Sequence, residues 1–391
     1  MGDVAPLRGG YAFKSSEYKK DGTPIVRISN ILPDGSIGAD FACYDDMEND
    51  ENISLRNGDA LLAMSGATTG KVSILKCKNT DKYYQNQRVG YFKRNIQYNY
   101  DFVSTIVRSD LFKEQLMSVL VAGAQPNVSS KEIDSFEFVF PLNIEEQKKI
   151  GQYFANLDTL ITLHQRKCDE TKRLKKYMLQ KMFPQNGEKV PEIRFSGFTD
   201  DWEQRKVTDL GEIYIGLVTT MTEHYTDKGH LLIRNSDIKD GYFEFGENPI
   251  YLDEEFSEQN KSRMHQLGDV ITVHTGDIGT SAVIGENEVN SIGFATIVTR
   301  PNQEILDSNY FATYLNTDTH KQWAISMATG DGRSNYNLKD YTKLVVPIPE
   351  IEEQKKIATC IVNLNSLITL HQRELENLQN IKKFMLGKMF V

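Results

Sequence analysis

The sequence predicts an α+β protein with two small α/β domains separated by two long, nearly identical helices. The helices are expected to form an intramolecular antiparallel coiled coil with a pseudo-twofold axis. Three observations support this fold class. A segment of about 40 residues occurs twice, its apolar residues follow a coiled-coil spacing, and a β-rich region precedes each copy.

The repeated segment is defined by three pairs of matching stretches. They are IEEQKKI at 144–150 and 351–357, LITLHQR at 160–166 and 367–373, and KKYMLQKMF at 175–183, which answers KKFMLGKMF at 382–390. The offset is 207 residues in every pair. One element is therefore used twice, without insertion or deletion.

Apolar or seam positions alternate in steps of four and three residues along both copies, which is the coiled-coil pattern. They are Ile150, Phe154, Leu157, Ile161, His164, Cys168, Thr171, Met178 and Met182, then Ile357, Ile361, Leu364, Ile368, His371, Leu375, Leu378, Met385 and Met389. A helix of 40 residues is roughly 60 Å long. Two copies in one chain can pair with each other, and we expect the two histidines to be polar register markers within the seam.

The regions before the helices contain short β-rich runs broken by glycine and aspartate. The runs are TPIVRISNI, DALLAMS, KVSIL and RVGYF in the first region, and LLIRNSDI, DVITVHT, SAVIG and FATIVTR in the second. Helical patterns follow at about 101–121 and 307–328. The predicted organisation is a first domain at 1–143, a central helix at 144–183, a linker at 184–199, a second domain at 200–350 and a C-terminal helix at 351–391.

Charge is distributed unevenly along the chain. The net charge is −9, with about −2 in 1–143, +4 in 144–190, −13 in 191–350 and +2 in 351–391. The helical segments are basic and the second domain is acidic. Net charge of this sign lowers the affinity for DNA that we expect of the chain alone.

Composition also excludes some protein classes. The four cysteines, Cys43, Cys77, Cys168 and Cys360, form no CxxC pair, which argues against a disulfide framework and a zinc cluster. No apolar run reaches the roughly 18 residues of a membrane span, and the N-terminal residues do not form a secretory signal. A cytoplasmic location is therefore expected.

The doubled IEEQKKI helix, each time after a β-rich domain, resembles the specificity subunit of Type I restriction-modification enzymes. Further support comes from RISNI at 27–31 and RNSDI at 234–238, from a Gly-Asp strand followed by a glycine loop in both regions, and from FSGFTDDW at 195–202. The resemblance covers essentially the whole chain. One departure is that Gly2-Asp3-Val4 aligns with Gly211-Glu212-Ile213, which leaves no counterpart of 191–209, a leader that family members usually carry.

The resemblance implies two target-recognition domains that each read one half of a split, asymmetric site in double-stranded DNA. It also implies that the helices set the spacing and dock two modification subunits, which carry S-adenosylmethionine and methylate adenine N6. Restriction subunits with motor and nuclease activity would join to cleave unmodified DNA. The chain itself is then a non-catalytic subunit without a cofactor.

The residues themselves also argue against an enzyme. An adenine methyltransferase needs a [ND]PP[YF] loop for the flipped base, and the sequence contains no Pro-Pro pair. The stretch from Gly66 to Val72 resembles a phosphate loop, but it has three residues between its glycines and valine in place of the Ser or Thr that holds magnesium. No histidine pair has metal-ligand spacing. We therefore expect neither a catalytic nor a metal site.

Polar side chains on loops are the candidates for DNA contact, because Arg, Lys, Asn, Gln, Ser and Thr read base edges and phosphates. In the first domain they are Ser65, Thr68, Thr69, Lys71, Asn86, Gln87, Arg88, Gln125 and Asn127. In the second domain they are His274, Thr275, Asp277, Thr280, Arg333, Asn335, Tyr336 and Asn337. For any one of them, a solvated or turn-capping residue is the structural alternative.

Two further basic sets allow two interpretations each. Arg27 and Arg234 occupy equivalent positions and could form structural ion pairs or contact phosphates. The helical cations Lys172, Arg173, Lys175, Lys176, Lys382 and Lys383 could be a solvated face or contact the DNA backbone. The main alternative for the whole chain is a non-enzymatic coiled-coil scaffold that binds protein partners, which the acidic second domain favours. A self-contained restriction or methylation enzyme is disfavoured by the missing motifs.

Overall fold

The computed structural model describes residues 1–32, 35–122, 127–185, 187–328 and 335–389, without the side chains of 121 and 122. The chain divides into two compact units. Unit 1 comprises residues 1–164 and 373–391, and unit 2 comprises residues 165–372. Each unit therefore contains one β-rich region and one part of each long helix.

Unit 1 contains two four-stranded sheets and three short helices. The strands are β1 (Leu7–Arg8), β2 (Thr23–Val26), β3 (Ala42–Tyr44), β4 (Ser54–Leu55), β5 (Ala60–Ala63), β6 (Val72–Ile74), β7 (Tyr83–Gln85) and β8 (Val89–Phe92), and the helices are α1 (Tyr100–Ile106), α2 (Asp110–Ala122) and α3 (Ser130–Asp134). The sheet orders are β1-β8-β5-β6 and β3-β2-β7-β4, in which β2 and β7 are parallel. Aromatic and aliphatic side chains of β5, β8 and the three helices form one core, which includes Phe92, Phe102 and Phe112.

The first long helix, α4, spans Ile144–Lys181, and the elements of unit 2 follow it. They are β9 (Glu203–Lys206), β10 (Gly211–Ile215), β11 (Tyr225–Thr226), β12 (His230–Arg234), β13 (Ile238–Lys239), β14 (Tyr242–Phe243), β15 (Tyr251–Leu252), α5 (Glu254–Gln259), β16 (Val270–Thr272), β17 (Ser281–Val283), β18 (Ile292–Phe294), β19 (Ile297–Pro301), α6 (Ser308–Leu315), α7 (Asp318–Met327), α8 (Leu338–Tyr341) and β20 (Val345–Ile348). The second long helix, α9, spans Ile351–Lys388.

The sheets of unit 2 repeat those of unit 1. The order β10-β19-β16-β17 corresponds to β1-β8-β5-β6, and the order β11-β15-β12-β18 again contains one parallel pair, β12 with β18. Two additional pairs, β13-β14 and β20-β9, complete unit 2. The fold class predicted from the repeat, two sheet-containing α+β domains with two long helices, is confirmed.

The Gly-Asp motif has the same structural role in both units. Gly58 and Gly268 have positive φ values of 85° and 87°, which glycine adopts without steric cost. The aspartate that follows is buried and accepts a backbone N–H from three residues earlier. Each aspartate also pairs with an arginine near the neighbouring strand, Asp59 with Arg94 at 2.9 Å and Asp269 with Arg300 at 2.8 Å. The motif therefore fixes the start of the strand that leads into the glycine loop.

The two long helices pack along the predicted seam. Phe154, Leu157 and Cys168 of α4 are buried, as are Ile357 and Ile361 of α9. Within unit 1, Lys382 near the end of α9 pairs with Asp158 near the start of α4 at 2.6 Å. The helices therefore run antiparallel. In the part of the chain that the structure describes, no helix is long and apolar enough to span a membrane.

Candidate nucleic-acid interface

In unit 1 the glycine loop connects β5 to β6. Gly70 donates its backbone N–H to the carbonyl of Ala63 at 2.9 Å, and Thr69 donates both its N–H and its hydroxyl to the carbonyl of Gly66, at 3.1 and 2.6 Å. Gly66 and Gly70 both have positive φ values, near 85°. These bonds make the loop a compact turn, and Lys71 is exposed at its end.

Two other predicted segments of unit 1 lie against this loop. Met64, at the start of the loop, donates its N–H to the carbonyl of Arg88 at 3.1 Å and accepts the N–H of Val128 at 2.9 Å. Arg88 belongs to the turn after β7, and Asn127 directly precedes Val128. The structure therefore brings the loop at 64–71, the turn at 86–88 and the segment at 127–128 together at one edge of the sheet.

Tyr11 is a neighbour of this cluster that the sequence analysis did not identify. It forms an isolated parallel bridge with Asn86, and its carbonyl accepts the N–H of Gln87 at 2.9 Å. Its side chain is 45% exposed and contacts the ring of Phe13 edge to face, with ring centroids 5.0 Å apart. Only its closeness to the glycines at 9 and 10 could have indicated a turn here.

Unit 2 has the same arrangement with different side chains. Val273 donates its N–H to the carbonyl of Thr280 at 2.8 Å, and Gly279 donates to the carbonyl of Val273 at 3.1 Å, which closes the loop between β16 and β17. Gly276 and Gly279 have φ values of 105° and 83°. Asp277 is exposed on this loop and accepts the hydroxyl of Thr280 at 2.6 Å.

The segment before α8 closes over the loop of unit 2. Tyr336 donates its N–H to the carbonyl of His274 at 2.9 Å, as Val128 does to Met64 in unit 1. The Thr275 hydroxyl donates to Oδ1 of Asn335 at 2.7 Å, and Nδ1 of His274 lies 2.8 Å from the same hydroxyl. Burial lowers the pKa of His274, so its imidazole is neutral near pH 7.

Two of the predicted residues, Tyr336 and Thr280, are buried and pack against the inner side of the glycine loop of unit 2. Tyr336 is fully buried beside His320, Trp323 and Tyr341, and burial raises its pKa well above the usual range. Thr280 is only 1% exposed. His320 packs beneath Gly279, and burial lowers its pKa to about 4 despite a bond to the carbonyl of Leu315. Burial of Tyr336 and Thr280 in the free chain gives them a positioning role, since neither presents its side chain to solvent.

The other predicted residues differ in exposure. Lys71, Gln87, Arg88, Asn127 and Asp277 are exposed, and Ser65, Thr68, Thr69, Asn86, His274, Thr275, Asn335 and Asn337 are partly buried. Gln125 and Arg333 lie outside the described residues. The accessible members of the set therefore include two cations in unit 1, Lys71 and Arg88, and none in the described loop of unit 2.

Asn235 of unit 2 is a positioning residue that the sequence analysis missed. Its Oδ1 accepts the N–H of His274 at 2.7 Å, and its Nδ2 donates to the carbonyl of Ala295 at 3.1 Å. It thereby joins the glycine loop to the turn between β18 and β19. The sequence did contain an indication of this role. Asn235 belongs to RNSDI, and this motif and its counterpart RISNI each precede a glycine loop.

The equivalent arginines Arg27 and Arg234 have structural partners. Arg234 pairs with Asp237 through two bonds of 2.9 and 3.0 Å, which raise the pKa of its guanidinium. Arg27 donates to the carbonyl of Asp40 at 3.2 Å and lies over the ring of Tyr18. In both motifs the residue three positions later, Asn30 or Asp237, accepts the N–H of the arginine and caps a short helical turn. The ion-pair interpretation therefore holds for Arg234.

The described residues contain no group of three or more His, Cys, Asp or Glu side chains that could hold a metal ion. The four cysteines are free thiols. In both units the loop cluster combines hydroxyl, amide and backbone groups that can form hydrogen bonds to base edges and phosphates.

Sequence comparisons identify a family and several relatives of this chain. The family model for the Type I restriction modification DNA specificity domain matches residues 1–173 and 199–380. The chain is 22% identical to the Type I restriction enzyme EcoBI specificity subunit of Escherichia coli, over all of this chain and 84% of that protein. It is 21% identical to the MjaVIII specificity subunit of Methanocaldococcus jannaschii, over 96% of this chain and 84% of that protein.

Solved structures show the same fold. The S subunit of a Type I restriction-modification system from M. genitalium superposes with a TM-score of 0.66 at 13% identity, over 100% of this chain and 94% of that chain. A chain of a type I R-M system superposes with a TM-score of 0.50 at 16% identity, over 98% and 97%. The family model matches in two blocks, one for each repeated module. The chain therefore belongs to the family of Type I restriction-modification DNA specificity subunits.

Proposed function

We propose that this specificity subunit reads a bipartite DNA site, one half with the loop cluster of each unit. The reading domains are residues 1–143 and 200–350, and the long helices set the gap between the half-sites. The observation that carries the proposal is the duplicated cluster. In both units a backbone hydrogen bond from a later segment holds the glycine loop. In unit 1 Val128, after α2, donates its N–H to the carbonyl of Met64, and in unit 2 Tyr336, after α7, donates to the carbonyl of His274.

The two clusters differ in their side chains, which supports reading of different sequences. Unit 1 presents Lys71, Gln87 and Arg88, whereas unit 2 presents Thr275 and Asp277. Arg and Lys favour guanine, Asn and Gln favour adenine, and an acidic side chain accepts from cytosine. Two different half-sites, and therefore an asymmetric site, follow from this difference.

We also propose that the exposed apolar positions of the long helices dock two modification subunits. Leu160, Leu174 and Tyr177 of α4 are 41 to 49% exposed, and the residues 207 positions later, Leu367, Ile381 and Phe384 of α9, are 45 to 63% exposed. These residues lie outside the seam. In each helix the first two are 14 residues apart and the last two are three residues apart, so all three lie along one face of the helix. Apolar side chains repeated on an exposed helix face are typical of a helix-docking surface.

The duplication also supports the proposed number of two modification subunits. Unit 1 carries Leu160 from α4 with Ile381 and Phe384 from α9, and unit 2 carries Leu367 from α9 with Leu174 and Tyr177 from α4. Each unit thus has the same set of three positions, one from one helix and two from the other. Two equivalent sets accept two copies of one partner. Restriction subunits would then join this assembly to give the complete complex that methylates and cleaves DNA.

DNA binding by the complex tests the reading function. The chain is mixed with its modification subunit, and the protected bases are mapped on DNA that contains the sequence this complex methylates. Two protected half-sites separated by a constant gap are expected. One contiguous site, or methylation without sequence preference, contradicts the proposal.

Stoichiometry tests the docking surface. The pair Leu160→Glu and Ile381→Glu changes the stripe in unit 1 only, and the pair Leu367→Glu and Leu174→Glu is the matched change in unit 2. Each pair should leave one bound modification subunit, measured by native mass spectrometry, and the four changes together should leave none. Retention of two subunits by all variants contradicts this surface.

Helix length tests the spacing role. One heptad inserted at paired positions in both α4 and α9 keeps the seam in register and lengthens the helices by roughly 10 Å. The gap between half-sites should grow by about three base pairs, with both half-site sequences unchanged. A changed half-site sequence contradicts the division of labour between domains and helices.

The acidic charge of residues 191–350 favours a second candidate, a scaffold that binds protein partners only. Salt dependence separates the two candidates, because phosphate contacts lose affinity steeply as salt rises. Binding of DNA by the complex that weakens between about 50 and 200 mM salt supports the reading function. Absence of any DNA binding at the lower salt supports the scaffold.

A further inference from the structure

A cavity of about 650 Å³ opens in unit 2 between α4, α9 and the second domain. Its wall from α4 includes Lys172, Lys175 and Lys176, and its wall from the second domain includes Asp240, Asp318 and Lys321. Four lysines therefore face two aspartates, so the cavity has a positive balance although the second domain carries −13.

The lysines differ in their partners. Lys175 is largely buried and pairs with Asp240 at 2.8 Å, and Lys321 lies 4.0 Å from Asp277. Lys172 and Lys176 are exposed and have no carboxylate partner among the described residues. They are four residues apart and lie on the same face of α4, with β-carbons about 6 Å apart. Two ammonium groups are thus available to one ligand.

The cavity adjoins the glycine loop of unit 2. The strand β17 begins at Ser281, directly after the loop, and the side chain of Asn316 bonds both the N–H and the carbonyl of Ser281, at 3.0 and 2.8 Å. Asn316 lines the cavity. Lys321 is also shared, since it lines the cavity and faces Asp277 of the loop. The cavity wall is therefore in direct contact with the end of the glycine loop.

The basic character belongs to this copy of the helix. Residues 165–181 of α4, the part in unit 2, contain seven basic and two acidic residues. The equivalents of Lys172 and Arg173 in α9 are the uncharged Gln379 and Asn380, whereas the equivalent of Lys176 is Lys383. The basic part of α4, residues 165–181, thus lies in unit 2, whose reading domain is acidic and whose described glycine loop presents no cation.

From these observations we infer that the cavity binds the sugar-phosphate backbone of DNA held by the second domain, with Lys172 and Lys176 as the phosphate contacts. The inference rests on the proposed reading function. Lysine and amide groups are usual donors to phosphate oxygens, and Gln180 and Gln322 supply amide groups at the cavity wall. The helix of the first repeat compensates for the charge of the second reading domain.

The test measures the affinity of the complex for DNA at several salt concentrations. In K172Q/K176Q the slope of log K against log salt should fall by about two units, since each phosphate contact contributes about 0.9. Affinity at low salt should fall roughly tenfold, by the same factor for DNA with and without the recognised sequence. The conservative variant K172R/K176R should retain the wild-type slope.

The matched control is K148Q/K149Q, which removes two exposed lysines of the same helix outside the cavity. An unchanged slope in K172Q/K176Q, an equal loss in the control, or a loss confined to the recognised sequence overturns the inference. Loss of the modification subunit with unchanged DNA affinity assigns the cavity to a protein partner and also overturns it. If the wild-type complex has no sequence preference, the proposed reading function fails instead, which the wild-type titration alone reveals.

Discussion

The two long helices begin with the same seven residues, IEEQKKI, but their second glutamates lie in different surroundings. Glu353 of α9 is fully buried and accepts two bonds from Arg194, at 2.7 and 2.8 Å. Glu146 of α4 is exposed and pairs with no cation among the described residues. Arg194 lies 159 residues before Glu353, in the segment between α4 and β9.

The glutamine that follows has the same role at both helix starts. Gln354 accepts the N–H of Asp307 and donates to the carbonyls of Ile305 and Pro349. Gln147 accepts the N–H of Asn99 and donates to the carbonyl of Pro141. The glutamine thus joins the helix to its domain in both copies. The role of the second glutamate differs between the copies, because Glu353 pairs with a residue from a distant segment.

The largest expected effect concerns the buried ion pair. Glu353→Ala leaves the charge of Arg194 without its partner, and the free energy of unfolding should fall by about 3 kcal/mol or more. Glu146→Ala, the same change at the exposed copy, should alter it by less than about 0.5 kcal/mol. Urea unfolding of both variants provides the measurement. Equal losses would show that the two helix starts have the same surroundings.

The two glutamines should give smaller and more similar effects. Gln147→Ala and Gln354→Ala each leave partly buried backbone groups without partners, at a cost of about 1–2 kcal/mol. Gln354→Ala should be the more costly of the two, because Gln354 satisfies a second carbonyl. The same unfolding measurements apply. A neutral result for either variant would show that the glutamine is dispensable at that helix start.

The smallest effect concerns Asp158 of α4, whose equivalent in α9 is Asn365. Burial would raise the pKa of Asp158, but Arg108 and Lys382 together hold it below the ordinary value. A lowered folded pKa stabilises the protein above the unfolded pKa of about 3.9, and this contribution is lost as pH falls through the folded value. Asp158→Asn should therefore destabilise by about 1–2 kcal/mol at pH 7.

The pH dependence makes this last prediction specific. The difference in stability between wild type and Asp158→Asn should shrink as the pH falls below about 4. The control is Asp169→Asn, a change on the exposed face of the same helix. A difference that stays constant from pH 7 to pH 3 would contradict the ion-pair account.

The helices were predictable because their information is local and periodic. The seam positions and helix starts follow from the sequence, and the structure places the ends at Lys181 and Lys388. The pattern at 101–121 breaks into α1 and α2 at Ser109, whose hydroxyl accepts the N–H of Phe112. Ser109 followed by Asp110 is typical of a helix start. The sequence analysis assigned one helix here because the apolar residues continue through this point.

The loop clusters were only partly predictable, because burial is set by distant residues. Tyr336 and Thr280 have side chains suited to DNA contact, yet the packing of His320 and Trp323 places Tyr336 in the core. Tyr11 and Asn235 join the clusters through bonds to residues far along the chain. Spacing within one segment does not predict such contacts.

The most direct test of the central claim, two units reading two half-sites, is methylation of a random DNA library by the assembled complex. T275A/N335A removes the hydrogen bond that joins two segments of the unit 2 cluster, and K71A/R88A removes two exposed cations from unit 1. Each double variant should relax the sequence preference of one half-site, a different one for each, and leave the other half-site and the gap unchanged. Relaxation of both half-sites by either variant, or of neither by both, would contradict the account.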